Sequence, residues 1–349
     1  MCLKFNLEDI TRSSIKALQP YASARDEFVG NAEGMIFLDA NENPFENGVN
    51  RYPDPHQNAL KTKLSKLKDI PEDQILLGNG SDEILDLIFR AFCEPGEDNV
   101  ITLPPTYGMY HVLAQINNIK VNAVDLDAQF QPRIEAILDT VDAHTRLIFL
   151  CSPNNPTGNS INIEHIEKLT RNFRGLIVID EAYIDFSNKE SWVYQLNHFE
   201  NIIVTQTLSK AYAMAGIRLG ICYASREIIA LLKRIKPPYN VNILTQKKAI
   251  EALSNTEEIQ KQIKQTLDER HVLADQLLNI HFISKVYPSE ANFLLVKVDD
   301  ATKRYQDLIE RGIVVRNRTT QPGCKNTLRF TIGTPEENKK LIDTLKAMQ

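Results

Sequence analysis

Arg146-Leu147-Ile148-Phe149-Leu150, then the amphipathic stretch from Ile163 to Phe173, then Leu176-Ile177-Val178-Ile179 follow one another in the middle of the chain. The two short runs are apolar at every position after Arg146, as suits strands buried on both faces. The stretch between them sets Ile163, Ile166, Leu169 and Phe173 near helical spacing. Strand, crossover helix and strand make a βαβ unit of a parallel sheet covered on both sides. The alternation extends outward. Ile75–Leu77, Val100–Leu103 and Lys120–Val124 precede the unit, and Ile202–Thr205 and Leu219–Tyr223 follow it. Glu83–Phe92, with Ile84, Leu85, Leu87, Ile88 and Phe92, reads as a second crossover helix.

Two features bound this region. Upstream, a short polar helix over Leu7–Leu18 and irregular sequence to residue 50 read as an arm, closed by the turn Arg51-Tyr52-Pro53-Asp54-Pro55. Downstream, Lys236-Pro237-Pro238-Tyr239-Asn240 breaks the rhythm. One long helix from Thr245 to Asn279 is predicted next, then strands at Phe293–Val298, Val314–Arg316 and Leu328–Ile332 and helices at Arg304–Arg311 and Pro335–Met348. The fold class is therefore α/β. A large domain, 51–238, has a mostly parallel central sheet with helices on both faces, and a smaller α+β domain is formed by the arm (1–50) and the C-terminal part (239–349).

The 349 residues, 43% hydrophobic, are enough for two domains with a large core. A net charge of −5 without a lysine-rich block argues against a nucleic-acid partner, and no apolar run approaches a membrane span. The N-terminus does not read as a signal or transit peptide. Five scattered cysteines without a Cys-x-x-Cys pair point to reduced thiols in a cytoplasmic compartment, and neither they nor the seven histidines suggest a metal site. The expected partner is a small molecule.

In open α/β sheets ligands bind beyond the carboxyl ends of the strands. Gly78-Asn79-Gly80-Ser81-Asp82-Glu83 opens a helix after the first strand, a seat for a phosphate or simply a capped turn. Asn155, between Pro153 and Pro156, is an amide in a rigid turn. Asp180 ends a buried strand, as a partner for a cationic ligand nitrogen, as a helix cap or as one half of a structural ion pair. Thr205-Gln206-Thr207-Leu208-Ser209-Lys210-Ala211-Tyr212 carries one lysine among small and apolar neighbours, with Arg218 eight positions on. Thr207, Ser209 and Arg218 can gather round an anion while Lys210 supplies an amine of lowered pKa. An amine, a carboxylate and a phosphate seat are what pyridoxal phosphate requires.

These motifs, with Gln19-Pro20-Tyr21 before them and Leu328-Arg329-Phe330-Thr331-Ile332-Gly333 after, resemble the fold-type I pyridoxal-phosphate aminotransferases, and among them the histidinol-phosphate aminotransferases. The resemblance covers nearly the whole chain. It implies that Lys210 is the Schiff-base amine and proton carrier, that Asp180 faces the pyridine nitrogen, and that Asn155 and Tyr183 bond its phenolic oxygen. Tyr107 would stack on the ring. The Ser81 and Asp82 amides, Thr207, Ser209 and Arg218 would bind the phosphate, joined by Tyr52 from the other subunit of a homodimer. Tyr21, Asn43, Arg316 and Arg329 would contact substrate, while Arg318 reads as a solvated strand-end charge. The implied reaction is transamination between histidinol phosphate and 2-oxoglutarate, giving imidazole-acetol phosphate and glutamate in histidine biosynthesis. The alternatives are a broad-specificity aromatic aminotransferase, a threonine-phosphate decarboxylase, and a non-catalytic regulatory module.

Overall fold

The computed structural model describes residues 5–21 and 35–348. All seven runs read as strands between residues 75 and 223 join one sheet: β1 (Ile75–Asn79), β2 (Asn99–Thr102), β3 (Lys120–Ala123), β4 (Thr145–Cys151), β5 (Leu176–Asp180), β6 (Ile202–Thr207) and β7 (Leu219–Ala224). The order is β1-β7-β6-β5-β4-β2-β3. Neighbours from β3 to β6 pair in parallel, whereas β7 runs antiparallel to both β6 and β1. The connection Leu208–Arg218 is too short for a crossover helix, so β7 must return in the opposite direction.

Unbroken apolar strands are used on both faces. Along β4, Leu147, Phe149 and Cys151 enter one core while Ile148 and Leu150 enter the other, and β5 divides Leu176 and Val178 from Ile177 and Ile179 in the same way. Each such side chain, fully buried, contributes roughly 1.5–3 kcal/mol. Helices Gly80–Phe92, Met109–Ile116 and Arg226–Ile235 cover one face; Asn58–Lys68, Ile134–Thr140, Ile163–Asn172 and Ile243–Leu253 cover the other.

The second sheet is antiparallel, β10-β11-β9-β8, from β8 (Ile283–Val286), β9 (Phe293–Val298), β10 (Arg316–Asn317) and β11 (Thr327–Thr331). Helices Thr256–Leu277, Ala301–Glu310 and Pro335–Ala347 pack Leu273, Leu277, Leu308, Leu341 and Leu345 onto it. Strand β8 escapes the sequence reading because Ser284 and Lys285, both exposed, break its apolar run.

The predicted helix from Thr245 to Asn279 is two helices, Ile243–Leu253 and Thr256–Leu277. Ser254 turns its hydroxyl back onto the Ile250 carbonyl at 2.7 Å, and Asn255 leaves helical geometry at φ −119° and ψ 63°. Ala249 and Leu253 of the first join the large-sheet core, while Ile259 and Ile263 of the second pack with Tyr183, Phe186 and Phe293. The predicted helix over Leu7–Leu18 is two single turns, Leu7–Ile10 and Ser13–Lys16. They dock on the large sheet's helices. Ile10 and Ile15 enter that core, and Arg12 Nη1 donates to the Arg90 carbonyl at 2.9 Å. Among the described residues no helix is long and apolar enough to cross a membrane.

Candidate active site

Strands β1, β4, β5 and β6 all end on one edge of the large sheet, and antiparallel β7 begins there. Strand direction therefore collects Ser81, Asp82, Asn155, Asp180, Tyr183, Thr207, Ser209, Lys210 and Arg218, with Tyr107, around one cleft.

One wall gathers donors of the kind an anion would need. Helix Gly80–Phe92 presents the first-turn amides of Ser81 and Asp82. Thr207 Oγ1 and Ser209 Oγ lie 3.0 Å apart, and the Ser209 amide donates to Thr207 Oγ1 at 3.1 Å. Arg218 holds a left-handed backbone, φ 55°, that brings its carbonyl to the Gly80 amide at 3.0 Å. Its guanidinium stands 3.7 Å from Asp82 Oδ2. Gly220, opposite Gly78 in the ladder, has no room for a side chain: a Cβ there would lie 2.3 Å from the Gly80 carbonyl carbon and the Ser81 nitrogen.

Asp180 is 3% exposed, at the end of β5. Tyr110 Oη donates to its Oδ2 at 2.7 Å and the Ala182 amide to its Oδ1 at 3.2 Å. Burial raises its pKa, and the Tyr110 bond works against that rise. The next residue, Glu181, turns away into a separate network, accepting from Ser191 Oγ at 2.5 Å, the Trp192 amide at 2.7 Å and Gln206 Nε2 at 2.9 Å. Burial pushes its pKa up to about 7.

Lys210 lies at the open side of the cleft, its Nζ 5.7 Å from the centre of the Tyr183 ring. Partial desolvation and then the charge of Arg329 lower its pKa, against the pull of Asp180. The small sheet closes the far wall. Arg329 on β11 packs its guanidinium 5.0 Å from the centre of the Phe293 ring and donates from Nη1 to Asn155 Oδ1. Asn155 Nδ2 donates to Tyr183 Oη at 3.3 Å, so one amide links the two sheets. Tyr107 donates from Oη to Asp82 Oδ1 at 3.1 Å.

Pyridoxal phosphate fits this donor set. The cradle pressed together at Gly220 is shaped for an anion, Asp180 offers a buried carboxylate that a cationic nitrogen would ionise, and Lys210 supplies an amine in the same cleft. Not every candidate is gathered there. Tyr52 stacks on Tyr239 at 4.6 Å and, like Asn43 and Tyr21, is exposed outside this chain's cleft. Sequence reasoning missed Tyr110. Its signal was its place three residues after Tyr107, at a spacing that returns to the same side of a helical turn.

The family described as aminotransferase class I and II matches residues 39–345. The chain belongs to that family. It is a pyridoxal-phosphate-dependent aminotransferase. This aminotransferase is 60% identical to the histidinol-phosphate aminotransferase of Flavobacterium johnsoniae and 57% identical to that of Christiangramia forsetii, each over 99% of both chains. Among solved structures, the histidinol-phosphate aminotransferase of Clostridium acetobutylicum superimposes with a TM-score of 0.79 at 28% identity, covering 86% of the aminotransferase and 91% of that chain. The Porphyromonas gingivalis L-threonine-O-3-phosphate decarboxylase, at 20% identity and a TM-score of 0.72 over 85% of the aminotransferase and 93% of that chain, shares the fold.

Proposed function

We propose that the enzyme transaminates L-histidinol phosphate with 2-oxoglutarate, giving imidazole-acetol phosphate and L-glutamate as a step of histidine biosynthesis. The observation that carries this reading is the cationic wall opposite Lys210. Arg329 faces Arg316 across the β10–β11 ladder, and neither has a carboxylate partner among the described residues. Such a wall suits substrates that each bring an anion, the phosphate of one and a carboxylate of the other. The relatives that carry the histidinol-phosphate aminotransferase name, at up to 60% identity over nearly the full chain, support the same choice.

Bound pyridoxal phosphate supplies a carbonyl carbon that takes up the substrate amine and a ring that accepts electron density from Cα. Arg218, Ser209, Thr207 and the amides of Ser81 and Asp82 would hold its phosphate. Asp180 would hold a proton on the ring nitrogen, with Tyr110 fixing the carboxylate by its hydrogen bond to Oδ2. Asn155 and Tyr183, which bond each other at 3.3 Å, would hold the phenolic oxygen, and Tyr107 would cover the ring. Lys210 Nζ removes the proton from substrate Cα, a task its lowered pKa favours. Arg316 and Arg329 hold the substrate; the roles that the resemblance gives Tyr21 and Asn43 require them to reach it from outside this chain's cleft.

The enzyme acts as a homodimer in which Tyr52 completes the other subunit's phosphate site. Supporting this, Ile36, Leu38 and Phe45 are 85%, 87% and 79% exposed, and Leu244 is exposed beside Tyr52. The buried, unpaired Cys93, Cys151, Cys222 and Cys324 suit a reducing cytoplasm. The test is kcat/KM for histidinol phosphate, phenylalanine and threonine phosphate. Preference for histidinol phosphate by at least about tenfold is expected; comparable turnover of phenylalanine, or carbon dioxide release from threonine phosphate, would replace the reading.

A further inference from the structure

The sequence reads Arg318 as a solvated charge, yet the structure half-buries it and shields its Nε from solvent. The Arg316↔Arg329 and Asn317↔Leu328 pairs of β10 and β11 continue one step further, with the Arg318 amide donating to the Thr327 carbonyl at 2.9 Å. Side chains alternate along a strand, so Arg316 and Arg318 stand on the same face as Arg329, with Arg318 diagonal to it at about 7–8 Å between backbones. From that face Arg329 reaches Asn155, so the face looks into the cleft.

Arg318 Nε and Arg329 Nε are both buried without a hydrogen-bond partner. Among the described residues no carboxylate pairs with Arg316, Arg318 or Arg329. Burial, then the charges of Arg329 and Arg316, lowers the Arg318 pKa to about 10, which still leaves it cationic at neutral pH. Three like charges on a partly desolvated wall are costly until an anion completes the site. A carboxylate is satisfied by one bidentate guanidinium. A phosphate monoester brings about −1.5 to −2 charges and three acceptor oxygens, enough for all three.

We propose that Arg318 is a third guanidinium of the substrate-anion site, selecting a phosphate-monoester dianion over a carboxylate. This rests on the functional reading above only in assigning the wall to substrate. The holoenzyme, with its cofactor phosphate seat filled, is assayed on glutamate with inorganic phosphate as competing anion, in the parent protein and in Arg318→Gln and Arg318→Lys. The expected result is a rise in the phosphate inhibition constant of about tenfold for Arg318→Gln and a smaller rise for Arg318→Lys, while KM for glutamate moves by less than about threefold. If Arg318→Gln does not load cofactor, Arg318→Lys decides, with about a threefold rise expected. An unchanged inhibition constant overturns the proposal. So does an equal rise in the inhibition constant and in KM for glutamate, because Arg318 would then only prop Arg329. Turnover of histidinol phosphate by the parent enzyme tests the functional reading separately and can fail while the phosphate result stands.

Discussion

Lys210 sits between opposing fields. Desolvation and the Arg329 guanidinium lower its pKa below the usual 10.5, while Asp180 pulls it upward. The neutral amine is the form that bonds the cofactor, so cofactor capture by the apoenzyme should rise with pH to a midpoint below 10.5. Replacing Arg329 by Met removes a cause of the depression, and the midpoint in a rapid-mixing absorbance experiment should move up. A midpoint that stayed put would deny the coupling. Lys210→Ala should lose at least about 10⁴-fold in transamination. Borohydride reduction and peptide mapping should then fix the cofactor on Lys210 in the parent protein and on no residue in the variant. Label on another lysine would remove Lys210 from the chemistry.

At the scale of the elements, the β5 end carries two buried acids with different neighbours. Glu181, held at about 7, has a folded pKa above its unfolded value near 4.5. Its contribution to stability is therefore full below pH 4.5, is lost as pH rises to about 7, and is flat beyond. The loss is of the order of 3 kcal/mol. In Glu181→Gln this slope should vanish, read as the difference in urea midpoint between acid and neutral pH; an identical pH dependence in both proteins would refute the assignment. The β1–β7 approach makes a second prediction. A Cβ at Gly220 would collide with backbone at 2.3 Å, which cannot rotate away. Gly220→Ala should weaken cofactor binding at least about tenfold, measured by absorbance titration, because relief must come from the turn that carries the Ser81 amide. Wild-type affinity would show that the cradle yields.

For the whole molecule, the two sheets meet where Arg329 bonds Asn155 and where helix Thr256–Leu277 lays Ile259 and Ile263 against Tyr183 and Phe293. If Tyr52 completes the neighbouring subunit's site, neither Lys210→Ala nor Tyr52→Ala chains should be fully active alone. Random mixing should restore about a quarter of the sites, since half the dimers are hybrids with one intact site each. No recovery after dissociation and remixing would place Tyr52 in its own subunit's site or outside catalysis.

The strands were legible because a strand buried on both faces must be apolar at every position, as β4 and β5 are. The break at Ser254 and Asn255 was not, because the apolar spacing carries on through it while the two helices pack on different cores. Likewise, the chain names Lys210, Asp180, Asn155 and Arg218 through local motifs at the ends of runs. Local spacing cannot say whether a polar side chain is paired, since its partners come from distant segments. Tyr110 became the partner of Asp180 only when helix Met109–Ile116 packed against β2 and β3, and the Arg318 Nε was shielded only when β10 paired beside Arg329. Sequence by itself determined the strands of the large sheet and named the candidate amine and anion cradle, because hydrophobic period and turn chemistry are local. Tertiary structure alone decided which charges lie without counter-ions, because burial belongs to the assembled fold.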